Sequence, residues 1–321
     1  MLAGNGFFLY NDGKNKTGIK NVNTKNTAAM PFVYIFGVIV VCLVGIAIGS
    51  FFDYEISVAL AHPDGLGDII AKISPVPAYA LMPLGWGCIY TGLKKKLNSS
   101  GKSAGIPLFL TACIAIALSG GYYGGIVNLL LGYVISDHII RTIASWLFWV
   151  ILYALITLGM PRFLDDSKPK KLIAVGLALW ASTIASDIAV QWLKHIAYRP
   201  RYRYLLTLED PLAGYRNWWE MVPNLAGSDE NFQSWPSGHM SIIGVLIALP
   251  LLAECLKKRS IRISVIVFAL VCIYFIAACY NRIQMAAHFL SDVCFGTMDS
   301  CLITAGICTV LLKLFKAERE E

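Results

Sequence analysis

The sequence predicts an all-α membrane protein built as a bundle of about eight transmembrane helices. Three observations indicate this fold class: 57% of the 321 residues are hydrophobic, only 15% are charged, and the mean hydropathy is +0.62. Length alone would suggest roughly two soluble domains. Such domains carry a larger share of charge, however, whereas a bilayer-embedded chain needs apolar runs of about 20 residues. The chain is therefore divided into spans rather than into domains.

Apolar runs of membrane length recur along the chain. The clear runs are 31–52, 69–93, 171–193, 263–280 and 289–315, and a shorter one is 239–256. The region 106–160 is long enough for two more passes, which makes eight. Within it, the glycines of 119–125 permit a break or a close helix contact.

Basic residues predict the orientation, because short cytoplasmic segments accumulate Lys and Arg. If five basic clusters are each cytoplasmic, eight spans alternate without conflict and both termini lie inside. These clusters are 14–25, 94–102, 168–171, 257–262 and 313–319. The predicted organisation is a polar cytoplasmic leader over 1–30, a transmembrane bundle over 31–316 and a cytoplasmic tail over 317–321. The first outward segment is expected at 53–68.

Charge and cysteine content argue against other classes of partner. The net charge of +7 is explained by the inner loops, so no nucleic-acid partner is expected. The nine cysteines lie almost all in apolar runs and lack the spacing of metal ligands. They are typical of small membrane hydrophobes, and neither a disulfide framework nor a metal site is expected.

Three cations, Lys194, Arg199 and Arg201, lie at the outer end of the fifth span. Basic residues often snorkel at a helix end, which explains the cluster if it is considered alone. The positive-inside trend disfavours three cations on the outer side without a role. A Lys point charge with Arg forks suits an anion, and phosphate above all.

The sixth span begins with Pro236-Ser-Gly-His239. Ser237 is a good N-cap residue, and capping explains it fully. Capping does not explain Gly238, which would allow a ligand close to the backbone, where free N–H groups bind anions. His239 would then stand beside a bound anion and could protonate it.

The turn between the seventh and eighth spans carries Arg282, His288 and Asp292. His288 and Asp292 are four residues apart, so on a helix they share a face and can hydrogen-bond. A carboxylate on one imidazole nitrogen raises the basicity of the other, as a nucleophilic His requires. A pair that only satisfies polar groups is the alternative.

Together the three clusters lie on one predicted membrane face and supply cations, two His and one Asp without a set of metal ligands. This inventory is suited to metal-free attack on a phosphoryl group, with electrostatic stabilisation as the main catalytic effect.

At these residues the chain resembles the type 2 phosphatidic-acid phosphatase superfamily, whose pattern is K-x6-R-P, then P-S-G-H, then S-R-x5-H-x3-D. The matching positions are Lys194 and Arg201, then 236–239, then Arg282, His288 and Asp292. Tyr202 stands in place of the family's Pro, and Asn281 in place of its Ser.

Arg199-Pro200 offers an Arg-Pro pair nearer to Lys194, so either arginine could hold the phosphate. Arg201 is preferred, because family members often carry an Arg-Pro-Arg run in which the second Arg does so.

The resemblance implies a six-helix phosphatase core and a covalent mechanism without metal or other cofactor. His288, oriented by Asp292, would attack phosphorus and form a phosphohistidine that water then hydrolyses, and His239 would protonate the leaving oxygen. The phosphoryl oxygens would be held by Lys194, Arg201, Ser237, Gly238 and Arg282.

An aromatic-rich outer loop, 203–235, suggests a lid over a lipid headgroup, although aromatic residues are also ordinary interface anchors. The expected substrate is a membrane lipid phosphate: phosphatidic acid, phosphatidylglycerol phosphate or a polyprenyl diphosphate. We expect a bacterial plasma membrane protein with an extracytoplasmic active site. A lipid phosphotransferase and, from another class, a transporter are the alternatives, and the oligomeric state is left open.

Overall fold

The computed structural model describes residues 30–317, apart from 102, 104, 133, 221–228 and 259. The predicted leader and tail therefore lie almost wholly outside the described residues. Within the described part the chain is helical, and the one β-bridge found there joins Leu164 to Leu256. The predicted fold class, an all-α helix bundle, is confirmed.

Thirteen α-helices follow one another in the described chain. They are α1 (Met30–Leu60), α2 (Gly65–Ile73), α3 (Val76–Tyr79), α4 (Leu81–Ser99), α5 (Gly105–Leu131), α6 (His138–Gly159), α7 (Pro169–Ala197), α8 (Tyr202–Leu205), α9 (Pro211–Gly214), α10 (Gly238–Gly244), α11 (Leu249–Ala253), α12 (Ile261–Gln284) and α13 (Leu290–Ala317). Short 3-10 turns lie at Met160–Arg162, Glu230–Phe232 and Val245–Ala248.

Five helical segments of the described chain are long and apolar enough to cross a membrane. They are Val33–Leu60, His138–Arg162, Pro169–Leu205, Ile261–Gln284 and Leu290–Phe315. These segments indicate a membrane protein. The count of eight spans and the six-helix core stay predictions.

The predicted second span, 69–93, is interrupted. It is divided among α2, α3 and α4, with Pro75 between the first two and Pro77 inside α3. Proline lacks an N–H donor and disfavours helical backbone in the residue before it, so one continuous helix cannot form here. The expectation of an unbroken run at this place is wrong.

Helix α1 is longer than the predicted first span. It continues to Leu60, so Asp53 lies inside the helix and does not begin an outer loop. The sixth predicted span is shorter and less regular, because α10 passes through the 3-10 turn into α11. Nearly every side chain of that span is buried, as Met240, Ile243 and Leu246 show.

The interior of the bundle is formed by α7, α10, α11 and α13. Helix α1 packs against α13, and α4 packs against α7. Helices α5 and α6 pack together beside α4, where Trp86, Trp149 and Tyr153 form a second apolar cluster. The predicted catalytic segments lie at the ends of α7, α10, α12 and α13, and α5 and α6 do not contribute to them.

Candidate active site

Four helix ends meet at one end of the bundle and position the predicted site residues. Lys194 lies in the last turn of α7, and Arg282 lies in the last turn of α12. His239 lies in the first turn of α10, and Asp292 lies in the first turn of α13.

Two tight turns send the chain back into this space after α7 and α12. Tyr198 has a φ of 42° and Ala286 a φ of 51°, which are left-handed conformations that cost a non-glycine residue about 1–2 kcal/mol. Such strain persists only where the surrounding structure holds it, and it clusters at functional sites. Arg199 follows the first turn and His288 the second, and both side chains are buried.

Arg199 is the centre of a buried ion-pair network. Its guanidinium contacts Asp53 at 3.0 Å and Asp292 at 2.5 Å, and the three side chains are at most 1% exposed. It also donates to the Ser291 hydroxyl at 2.9 Å and to the Arg216 carbonyl at 2.9 Å. The Phe289 ring lies 4.2 Å from the guanidinium carbon. Arg199 is therefore fully engaged by protein groups.

Asp292 accepts hydrogen bonds from both sides of the site. One carboxylate oxygen takes the contact with Arg199, and the other accepts from the Ser234 hydroxyl at 2.6 Å and from the Phe289 N–H at 2.8 Å. The main-chain carbonyl of Asp292 accepts from the Ser237 N–H at 3.1 Å. Asp292 thus joins the start of α13 to the segment that leads into α10.

His288 is oriented by Ser234 in this structure and not by Asp292. Its Nδ1 lies 2.6 Å from the Ser234 carbonyl oxygen but 4.0 Å from the nearest Asp292 oxygen. The shared helix face expected from the spacing is wrong, because α13 begins at Leu290 and His288 precedes it. Since a carbonyl only accepts, Nδ1 carries the proton and Nε2 carries the lone pair.

The surroundings of His288 favour its neutral form. Burial lowers the pKa of His288 well below its usual 6.5, and the nearby cations Arg201, Arg282 and Lys194 lower it further. A neutral imidazole with a free Nε2 is the form that can act as a nucleophile.

Lys194, Arg201 and Arg282 form the cationic wall of the site. They are 8%, 8% and 6% exposed, and no carboxylate of the described chain lies within 4.0 Å of them. Arg201 donates through Nε to the Glu230 carbonyl at 2.8 Å. Buried cations are rare without a paired anion, so this wall is suited to an anionic ligand.

Gly238 lies beside the Lys194 end of this wall, and Ser237 directly precedes it. Ser237 is the N-cap of α10, and its hydroxyl accepts from the Met240 N–H at 3.4 Å. A side chain at Gly238 would begin 3.4 Å from the Lys194 ammonium nitrogen, so glycine keeps this approach open. Gly296 allows α13 to pack closely against the start of α10, since a Cβ at this position would collide with the Ser237 carbonyl.

His239 lies on the side of the site nearest to α2. Its ring is within hydrogen-bonding reach of the Ala71 backbone and lies close to Arg282, Lys194 and Arg201. His239 is only partly buried, whereas His288 is 1% exposed. The two imidazoles therefore have different surroundings, one enclosed and one partly open.

The segment between α7 and α10 covers the site. Trp218 stacks on Trp235 with ring centroids 6.4 Å apart and donates through its indole N–H to the Ser50 hydroxyl at 3.0 Å. Trp235 in turn contacts Phe295 at 4.4 Å. Residues 221–228 of the predicted lid lie outside the described residues. The rest of the segment is attached to α1 and α13 through aromatic contacts.

Sequence reasoning missed three residues of this site: Asp53, Ser234 and Ser291. An acidic residue such as Asp53 near the end of an apolar helix is itself a signal of function. Nothing local marks Ser234 or Ser291, whose partners are distant in sequence. Among the described residues there is no group of three His, Cys, Asp or Glu that could hold a metal ion, and the nine cysteines are free.

Comparison with known proteins identifies the family of this region. Residues 175–316 match the family model described as the PAP2 superfamily. Neither the curated proteins nor the solved structures contain a match to the chain. The matched residues contain α7 from Val175, the covering segment, α10 to α12 and α13 up to Lys316, together with every predicted catalytic and phosphate-binding residue. This part of the chain is thus similar to the PAP2 superfamily, which agrees with the resemblance of its motifs to the type 2 phosphatidic-acid phosphatase superfamily.

Proposed function

We propose that the protein hydrolyses a membrane lipid phosphate or diphosphate through a phosphohistidine, without a metal ion, at the extracytoplasmic face of the membrane. One observation carries the proposal. Three buried cations, Lys194, Arg201 and Arg282, surround two imidazoles and have no carboxylate partner in the described chain. A dianionic phosphoryl group would supply the missing charge. Members of the PAP2 superfamily are phosphatases, which supports this activity.

Binding would place the phosphoryl oxygens against the cationic wall, Ser237 and Gly238. Arg201 is the arginine suited to this role, because Arg199 is already held by two carboxylates. Each charge-bearing donor stabilises the transition state more than it stabilises the bound substrate, which accounts for about a hundred- to thousandfold in rate per donor.

His288 would be the nucleophile. The Nε2 lone pair forms a bond to phosphorus while the bond from phosphorus to the leaving oxygen breaks. The proton stays on Nδ1 and is donated in a hydrogen bond to the Ser234 carbonyl oxygen, which stabilises the positive charge that develops on the ring. Burial keeps the pKa of His288 low, so the free enzyme holds the ring unprotonated and ready to attack.

His239 would be the general acid, as the imidazolium that forms when the phosphoryl dianion binds and offsets the surrounding positive charge. In the first step it gives a proton to the leaving oxygen, and the lipid alcohol or monophosphate departs. In the second step His239 takes a proton from the water that attacks the phosphohistidine, so that phosphate is released and both imidazoles return to their starting forms. Its partly open position next to α2 is consistent with a leaving group that extends out of the site.

The end of the bundle at which the site lies supports the extracytoplasmic assignment. The opposite end carries the basic segments, including Lys95, which pairs with Asp166 at 3.2 Å, and Lys171, which pairs with Glu254 at 3.0 Å. The positive-inside rule makes that opposite end cytoplasmic. A site beside the membrane interface and under an aromatic cover favours a phosphate attached to a lipid tail.

The test is phosphate release from a panel of lipid phosphates by purified protein, with and without chelator and with vanadate. We expect His288→Ala to lose turnover while the protein stays folded, and vanadate to inhibit the wild type. His195→Ala is the matched control, since His195 is the exposed neighbour of Lys194 on α7. Near wild-type activity in His288→Ala would refute the mechanism.

Product analysis in the same panel separates the alternatives. Free inorganic phosphate indicates a hydrolase, whereas a phosphorylated acceptor lipid indicates a phosphotransferase. Substrate movement across a vesicle membrane without either product would favour a transporter.

A further inference from the structure

Asp53 is a buried carboxylate on α1, and α1 lies outside the part of the chain that matches the phosphatase family. Its side chain is 0% exposed, while neighbouring residues of the same helix, such as Phe51 and Phe52, are 79% and 55% exposed. A carboxylate within an apolar helix is costly unless it has a partner and a use. The cost suggests a role for Asp53 beyond packing.

The contacts of Asp53 lead to the nucleophile in four steps. Its carboxylate accepts from the Arg199 guanidinium at 3.0 Å, from the Ser291 N–H at 3.0 Å and from the Ser291 hydroxyl. Arg199 holds Asp292, Asp292 accepts from the Ser234 hydroxyl, and the Ser234 carbonyl accepts from His288 Nδ1. Every side chain in this series is buried.

The face of α1 that carries Asp53 is shaped for close approach to α13. Gly45, Gly49 and Asp53 are four residues apart and share that face. A Cβ at Gly49 would lie 2.6 Å from an Asp53 oxygen and 2.8 Å from the Ser291 nitrogen. Small residues bring two membrane helices together in this way. The glycines thus allow Asp53 to reach the first turn of α13.

We propose that Asp53 is a positioning residue for the phosphatase reaction: through Arg199 and Asp292 it fixes Ser234 and hence the orientation of His288. This inference rests on the function proposed above. Arg199 is shared between two carboxylates, one on α1 and one on α13, which contact different nitrogens of its guanidinium group. Without the Asp53 charge, the pair of Arg199 and Asp292 is free to shift, and the Ser234 carbonyl shifts with it.

The primary test is Asp53→Asn, measured in single-turnover phosphate release with enzyme in excess over a lipid phosphate. A single-turnover rate constant does not depend on the fraction of protein that is folded, so it separates misplacement of His288 from loss of folded enzyme. A displacement of about 1 Å in a reacting group can lower a rate about a hundredfold, and we expect a loss of that size. Affinity for inorganic phosphate should be unchanged, because phosphate binds to Lys194, Arg201 and Arg282 without a bond to His288, and these three cations are untouched.

Two controls on α1 match the perturbation. Glu55→Gln removes a charge from an exposed position of the same helix, and Ser57→Ala alters a buried position whose hydroxyl has no hydrogen-bond partner among the described residues. Both should keep the wild-type single-turnover rate. Ser291→Ala and Gly49→Ala keep every charge but disturb the contact of Asp53 with α13, and both should slow the step in the same direction. Ser291→Ala and Gly49→Ala replace Asp53→Asn as the test if Asp53→Asn does not fold.

A wild-type single-turnover rate in Asp53→Asn overturns the proposal. If Asp53→Asn does not fold, wild-type rates in both Ser291→Ala and Gly49→Ala overturn it. A parallel loss of rate and of affinity for inorganic phosphate also overturns it, since that indicates general disruption of the site. The proposed function is tested separately by His288→Ala. If that variant is inactive while Asp53→Asn is fully active, only the role of Asp53 fails.

Discussion

Arg199 and Arg201 are two residues apart, but replacing them by alanine should have different consequences: Arg199→Ala should lower the stability of the protein, whereas Arg201→Ala should lower its activity and leave it folded. Arg199→Ala leaves Asp53 and Asp292 buried without their shared cation. Removal of one partner from a buried ion pair costs about 3–5 kcal/mol. Loss of the guanidinium over the Phe289 ring, at 4.2 Å, adds about 1–2 kcal/mol. A total near 5 kcal/mol is comparable to the whole stability of many domains.

Arg201→Ala should leave the protein folded and remove activity. The lost hydrogen bond to the Glu230 carbonyl costs about 1 kcal/mol, and relief of repulsion from Lys194 and Arg282 offsets part of it. Activity should fall about a hundred- to thousandfold, as for other donors that stabilise transition-state charge.

The assay compares thermal unfolding in detergent with lipid phosphate hydrolysis for both variants. Wild type should unfold at a higher temperature with saturating phosphate or vanadate, and Arg201→Ala should lose most of that shift. A stable Arg199→Ala protein, or an Arg201→Ala protein that is less stable than Arg199→Ala, would refute the division of roles between the two arginines.

Three further outcomes follow from the same contacts. Burial lowers the pKa of folded His288. Once the pH falls below about 6.5, the unfolded chain therefore binds a proton at this residue that the folded chain does not bind. The stability of the folded state then drops by up to about 1.4 kcal/mol per pH unit. His288→Asn should therefore lose less stability than wild type between pH 7.5 and 5.5, measured by denaturant unfolding; an equal loss contradicts this. Gly296→Ala should displace Ser237, cost about 1–3 kcal/mol and weaken vanadate binding, and unchanged binding would count against the close approach of α13. Trp218→Ala removes the stack on Trp235 and the bond to Ser50, so limited proteolysis should cleave the covering segment between α7 and α10 faster than in wild type, with equal rates as the contrary result.

The parts of the site that could be predicted are residues that lie close together in sequence at the ends of helices. Lys194 with Arg201, the run 236–239, and Arg282 with His288 and Asp292 each lie within a few residues. The spacing within each stretch is therefore enough to identify these residues as site residues. The structure brings these three stretches together at one end of the bundle, where the positive-inside pattern places them.

The parts that could not be predicted depend on contacts between distant residues or on where a helix begins. Asp53 and Ser291 are separated by 238 positions, and Ser234 and His288 by 54. The spacing of His288 and Asp292 suggested a direct bond on one helix face. The helix begins two residues after His288, because the Asp292 carboxylate accepts from the Phe289 N–H at its start. The orienting group is consequently a carbonyl from another segment.

The pairing of charges explains why the site can attract an anion although it contains carboxylates. Asp292 acts electrostatically on Arg201 of the cationic wall, and Asp53 shares Arg199 with Asp292; a free carboxylate here would weaken the positive field of the wall. Arg199 engages both of them, and Ser234, Ser291 and the Phe289 N–H satisfy the remaining oxygens. Lys194, Arg201 and Arg282 are left without an acidic partner in the described chain, although all three are buried. Charges at low dielectric act strongly on one another, so an incoming phosphoryl group meets three cations that form no direct ion pair with the described residues. Arg199 therefore supports phosphate binding by pairing with the two carboxylates and not by contacting the phosphate. A lysine at this position cannot hold both carboxylates in a planar fork, so it should not replace Arg199.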